Sequence, residues 1–138
     1  MKIASLVAQL QDIANLKQEH FIVFSLNSAH QLIAKRTVFI GTLTSVLAHP
    51  REVYADPLTD RAAAIIVAHN HPSGEVQPSK QDINMTQQLI AAGQILGVSL
   101  EDHIIVGGKQ HFSFRKEGLI SPGFYAIEEG SGYERLKN

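Results

Sequence analysis

The sequence contains no cysteine in 138 residues, which excludes a disulfide, a thiolate metal ligand and a cysteine nucleophile. Any metal site must therefore be built from nitrogen and oxygen donors. An excess of either charge is missing too. Twelve Lys and Arg stand against thirteen Asp and Glu, a formal net charge of -1, so composition offers no basic footprint for a phosphate backbone. No apolar run approaches the ~20 residues of a membrane-spanning helix, and the start of the chain lacks the charged-then-apolar pattern of a secretory signal. These absences lead to the expectation of a cytoplasmic protein without membrane association. Internal repeats and dividing linkers are also lacking.

What is present is globular composition, 44% hydrophobic and 18% charged, in a chain long enough for one domain with a real core. Ile3, Leu6, Val7, Leu10, Ile13 and Ala14 recur at helical steps and predict an amphipathic helix over 2–17. The runs "HFIVFSLN" and "QLIAKRTVFI", separated by turn residues, predict a strand hairpin over 20–40. A helix is expected over roughly 43–61, with Pro50 in its first turn, His49 as a cap and Pro57 kinking or ending it. The continuous apolar stretch "AAAIIVAH" at 62–69 fits a strand buried on both faces. A helix over 80–96 capped by Gly97 follows, then two strands joined through Gly107-Gly108-Lys109-Gln110. The domain is read as 1–118, including the N-terminal helix, with 119–138 as a C-terminal tail.

The chemistry concentrates in "HNHPSGEVQPSKQD" at 69–82. Side chains two apart on a strand share a face, so His69 and His71 at a strand's end can aim both imidazoles at one point. A catalytic zinc site commonly takes three protein ligands and leaves a fourth position open. Asp82 is the nearest third ligand, because Pro72, Gly74 and Pro78 can fold the intervening segment back. The competing reading is structural: Ser79 and Asp82 also form a Ser-x-x-Asp capping pattern at a helix start, and caps are commoner than metal ligands. Histidines at a wet strand end can likewise be satisfied by neighbours alone.

The spacing His69-Asn70-His71, seven residues, Ser79, two residues, Asp82 is similar at every element to the JAMM motif of the MPN metalloprotease superfamily. "GTLTSVLAHPREVY" at 41–54, "AAIIVAHNHPSGEVQPSKQDINMTQQL" at 63–89 and "GVSLEDHIIVGG" at 97–108 resemble one branch of it, the RadC-like JAB domain. The likeness covers about residues 17–118. Asn70 departs from the general Ser or Thr but fits the RadC branch, and Pro57 is unusual for its helix. No stretch resembles the helix-hairpin-helix region of longer RadC proteins.

The resemblance implies an α/β, MPN (JAB)-like fold, a mixed, mostly antiparallel sheet flanked by about three helices. It implies one Zn2+ ion held by His69, His71 and Asp82, with Ser79 donating to an oxyanion. It also requires an upstream general base, which falls on Glu19 in "KQEHFIVF", with Glu52 in "HPREVY" as its competitor. The implied reaction is hydrolysis of an amide, in a peptide or an isopeptide, with a protein or peptide substrate. The alternative it leaves open is a non-catalytic or metal-loaded binding module associated with DNA repair or replication, nucleic acid being suggested by family association only. Phosphodiester hydrolysis ranks last, since many nucleases use two ions. His103 belongs to the RadC pattern and reads as a strand-end histidine packed beside the site, without an assigned role.

Overall fold

Seven successive residues from Ala64 to Asn70 are buried, and only a strand covered on both faces can hide such a run. This strand, β3 (Ala64–Asn70), is the centre of the molecule. The computed structural model describes residues 3–41 and 48–120. Around β3 lie α1 (Ile3–Gln9), β1 (Glu19–Leu26), β2 (Leu32–Gly41), α2 (Pro50–Thr59), α3 (Lys80–Leu96), β4 (Ser99–Gly107) and β5 (Gln110–Ser113).

The five strands form one sheet in the order β2-β1-β3-β4-β5. Neighbours are antiparallel except β3 and β4, which run parallel because α3 crosses over between them. Alternate side chains feed two cores. Phe21, Val23, Ile65, Val67 and Ile105 pack under α2 and α3, with Tyr54 and Leu89. Ile22, Phe24, Ile66, Ala68 and Ile104 pack on the other face against Leu6, Leu10 and Ile13. This is the mixed, mostly antiparallel α/β architecture with three helices that the motif resemblance implied.

The N-terminal segment differs from expectation in length. The helix stops at Gln9, and residues beyond it close i to i−3 hydrogen bonds, Ile13 N to Leu10 O at 3.1 Å and Leu16 N to Ile13 O at 3.2 Å. A tighter turn stacks residues three apart, which keeps Leu10 and Ile13 on the buried face that the periodicity had marked. The second helix begins at Pro50, with His49 Nδ1 accepting from Arg51 N at 3.0 Å. It runs past buried Pro57 to Thr59, and the first part of the predicted 43–61 span lies outside the described residues. Beyond β5, Ile120 still packs in the core, while 121–138 lie outside the description. Among the described residues no helix is long and apolar enough to cross a membrane.

Helices α2 and α3 meet at a glycine. Tyr54 donates its buried hydroxyl to the Leu89 carbonyl at 2.7 Å, and a Cβ on Gly93 would lie 2.6 Å from Tyr54 Oη while running into the Val98 carbonyl. Gly93→Ala gains roughly 1 kcal/mol of helix propensity but forces these groups apart. The expected net result is destabilisation of about 1–3 kcal/mol, measured as a lower midpoint in urea unfolding.

Candidate metal centre

Asn70 ends β3, yet His71 still donates its N–H to the Val106 carbonyl at 2.9 Å. Extended geometry thus persists for one more residue, and His69 and His71 share a face. Their Nε2 atoms stand 3.1 Å apart, His69 fully buried and His71 partly so. The chain then turns: Gly74 sits at φ 90° and packs so closely on β4 that a Cβ on Gly107 would lie 2.9 Å from the Gly74 carbonyl oxygen. That packing holds the neighbouring Glu75 carbonyl where it accepts from His71 Nδ1 at 2.8 Å.

The turn delivers the start of α3. Ser79 is its N-cap, with Oγ accepting from Asp82 N at 3.0 Å, and Asp82 Oδ2 accepts from Ser79 N at 2.9 Å. The capping box is present, and the same carboxylate faces both imidazoles. His69 Nε2 lies 3.4 Å from Oδ1 and His71 Nε2 lies 3.2 Å from Oδ2. The cap and ligand readings of Asp82 are therefore compatible in one side chain.

His69, His71 and Asp82 form a group that can hold a metal ion, and their spacing tests the fit. Ligands about 2.0–2.1 Å from a tetrahedral ion stand roughly 3.3 Å from one another. The two imidazole nitrogens stand 3.1 Å apart, Asp82 offers Oδ1 at 3.4 Å from His69 and Oδ2 at 3.2 Å from His71, and one ligand atom from each residue can be chosen with all three within 4.8 Å of one another. Two imidazole nitrogens with a carboxylate also match the mixed donor set of zinc better than the all-oxygen shells of Mg2+ or Ca2+.

The electrostatics of the cluster favour an anionic carboxylate facing the imidazoles. Burial pushes the Asp82 carboxyl up, but hydrogen bonds from His69 and His71 prevail and hold it well below the usual carboxylate range. His71 is raised, chiefly by its hydrogen bond to Asp82 and against burial, with the Glu75 carbonyl and the Glu19 charge adding to it. Phe21 stacks on His69, with ring centroids 6.1 Å apart, and shields this end of the sheet from water.

Glu19 opens β1. Phe21 is paired with His69 in the β1–β3 ladder, and continuing that register by two residues brings Glu19 opposite His71, on its face. Asn70 secures the approach: its Oδ1 accepts from His20 N at 2.6 Å and its Nδ2 donates to the Gln18 carbonyl at 3.0 Å. A cavity of about 160 Å³ lies between Lys17, Gln18, Glu19, Gly41 and Pro72. Glu52 is in the first turn of α2, with its side chain 53% exposed and 3.3 Å from Arg51 Nε. Ser79 is exposed at the rim.

Sequence reasoning assigned no role to His103, and Thr86 drew no notice. His103 Nε2 lies 2.9 Å from His69 Nδ1, and its Nδ1 lies 2.7 Å from Thr86 Oγ1. Burial holds the ring's pKa well below its ordinary value, helped by His69, and the ring stacks on Phe114 at 4.5 Å. The signal that could have found it is the strand-helix-strand order around α3, which makes β4 the parallel neighbour of β3. The observed pairing of Val67 with His103 sets that ring diagonal to His69 on the same face. Thr86 is four residues after Asp82, hence on the same face of α3.

Comparison with known proteins agrees with this geometry. The family model described as "RadC-like JAB domain" matches residues 2–119. A UPF0758 protein of Methanospirillum hungatei is 49% identical over 114 residues, covering 83% of this chain and 51% of the relative. One from Bacillus licheniformis is 49% identical over 109 residues, covering 79% and 49%. One from Bacillus subtilis is 43% identical over 111 residues, covering 80% and 48%. The chain thus spans about half the length of the curated relatives it matches. With the family model covering nearly all of the described residues and the histidine-aspartate cluster at the end of β3, the chain belongs to the RadC-like JAB domain family.

Proposed function

We propose that this chain is a zinc-dependent hydrolase of amide bonds, acting on a peptide or an isopeptide. The observation that carries the reading is the convergence of His69, His71 and Asp82 at ligand spacing, with the Glu19 carboxylate bearing on His71. A zinc ion in that site would bring the pKa of a water to about 7 and polarise an amide carbonyl.

The remaining chemistry belongs to the chain's own groups. Glu19 accepts a proton from the attacking water and returns it to the departing amine nitrogen, the two halves of general acid–base catalysis. Ser79 uses Oγ to accept from Asp82 N, which leaves its hydroxyl hydrogen to donate to the carbonyl oxygen as negative charge develops there. Asn70 holds the segment that carries Glu19, and the rings of Phe21 and His103 fill the space behind His69. Glu19 is preferred to Glu52 as the base because it continues the strand register beside His71, whereas Glu52 sits beside Arg51 with its side chain half exposed.

Elemental analysis of protein purified without chelators tests the metal, and zinc-loaded protein offered peptide and isopeptide-linked substrates tests the reaction. The expected results are about one zinc per chain, lost in His69→Ala, and turnover that a chelator removes. Zinc-free protein that gains no thermal stability from added zinc would refute the metal reading. Bound zinc with no amide turnover and salt-sensitive DNA binding would favour a binding module instead.

A further inference from the structure

His69 can ligate through Nε2 only if the ring's hydrogen sits on Nδ1, and the structure contains a device that puts it there. Thr86 Oγ1 lies 2.7 Å from the Asp82 carbonyl oxygen and 2.7 Å from His103 Nδ1. A carbonyl oxygen has no hydrogen to give, so the hydroxyl donates to it and can only accept from His103. His103 Nδ1 therefore carries the hydrogen of a neutral ring, and its Nε2 is left as an acceptor 2.9 Å from His69 Nδ1. That acceptor draws the hydrogen of a neutral His69 ring to Nδ1, so Nε2, which carries a hydrogen toward Asp82 only while the ring is doubly protonated, is the nitrogen open to a cation.

His71 reaches the same state by a shorter route, since its Nδ1 faces the Glu75 carbonyl directly. His69 Nδ1 faces a side chain instead, His103 Nε2: the ring lies within β3, between β1 and β4, where the ladders occupy the main chain. Two side chains bridge the gap, and the wire starts on the main chain of Asp82, whose side chain completes the cluster.

We propose that Thr86 and His103 are positioning residues of the metal centre, which together fix His69 in the Nδ1–H tautomer that leaves Nε2 free to bind the ion. The proposal rests on the metal reading above and deepens it by assigning two buried residues to the support of one ligand. Groups hydrogen-bonded to a metal-binding histidine set its tautomer and ring orientation, and their loss typically weakens metal binding 10- to 100-fold.

Thr86→Val separates the hydroxyl from its shape. Without the hydroxyl, His103 is free to place its hydrogen on Nε2 and donate to His69 Nδ1, which moves the His69 hydrogen onto the ligating nitrogen. Zinc affinity, measured by competition with a chromophoric chelator, is expected to fall about 10- to 100-fold in Thr86→Val. Thr86→Ser, which restores the hydroxyl, is expected to stay within about threefold of wild type, far inside that loss. Equal affinity of Thr86→Val and wild type overturns the proposal. So does a Thr86→Ser protein as weak as Thr86→Val, because packing then explains the loss.

Long-range ¹⁵N–¹H correlation spectra of the imidazoles in zinc-free protein give a readout that needs no metal. Nδ1–H on His69 in wild type, mixed or lost in Thr86→Val, supports the relay, and a His69 Nδ1 without a hydrogen in wild type overturns it. Wild-type protein that binds no zinc would defeat the proposed function, while these spectra would still decide the relay.

Discussion

Asp82→Ala is expected to abolish metal binding and to destabilise the metal-free protein by roughly 1–3 kcal/mol, because one side chain serves both ends. Its carboxylate accepts from Ser79 N at 2.9 Å as part of the cap of α3 and faces His69 and His71 at 3.4 and 3.2 Å. Losing a ligand should cost more affinity than the 10- to 100-fold typical of losing a group bonded to a ligand. Asp82→Asn separates the roles: its amide oxygen can still accept from Ser79 N, but it has no charge for the ion or the imidazoles. The expected pattern is no zinc in either variant, with the metal-free Asp82→Asn protein melting above Asp82→Ala.

The pH dependence of that difference follows from the signs of the shifts. Asp82 is depressed in the folded protein, so its contribution is complete above its unfolded value near 3.9 and is lost as pH falls through the folded value. His71 is raised, so its contribution is complete below about 6.5 and is lost as pH rises through the folded value. The stability gap between metal-free wild type and Asp82→Asn should therefore be widest from about pH 4 to 6.5 and narrow on both sides. Thermal melts across pH 3 to 8 with chelator present measure it. A gap that keeps widening above pH 7 would contradict the pairing of Asp82 with His71.

The cluster was legible in the sequence because each of its members is tied to a local signal. The apolar run before His69 marks a buried strand, alternation puts His71 beside His69, and the same Ser-x-x-Asp spacing that caps α3 carries Asp82 back to them. Local rules worked here because strand end, turn and helix start are contiguous in the chain. The extent of α1 was not legible, since the buried positions Leu10 and Ile13 are three apart and suit a tight turn as well as an α-helix. His103 was visible as a residue but not as a partner: its contact with His69 spans 34 positions and depends on the parallel register of β3 and β4. Thr86 looked like any helix threonine until its neighbour across α3 and β4 was known.

Glu19→Gln is expected to lower kcat about 10²- to 10⁴-fold while leaving zinc content at wild-type level, the range that loss of a positioned proton-transfer group produces. Glutamine keeps the size and polarity of the side chain but cannot take up a proton, so a selective loss of kcat isolates that step. Glu19 is suited to it by placement, because the β1 register that pairs Phe21 with His69 carries it opposite His71. Asn70, the middle residue of the His-x-His motif, then acquires a physical role: it bonds to the Gln18 carbonyl and His20 N on either side of Glu19, fixing that backbone against β3. Glu52→Gln is the control, expected to leave kcat within about twofold, as for a solvated surface charge. Full activity in Glu19→Gln combined with loss in Glu52→Gln would move the general base to α2 and leave the bracing by Asn70 as a purely structural feature of β1.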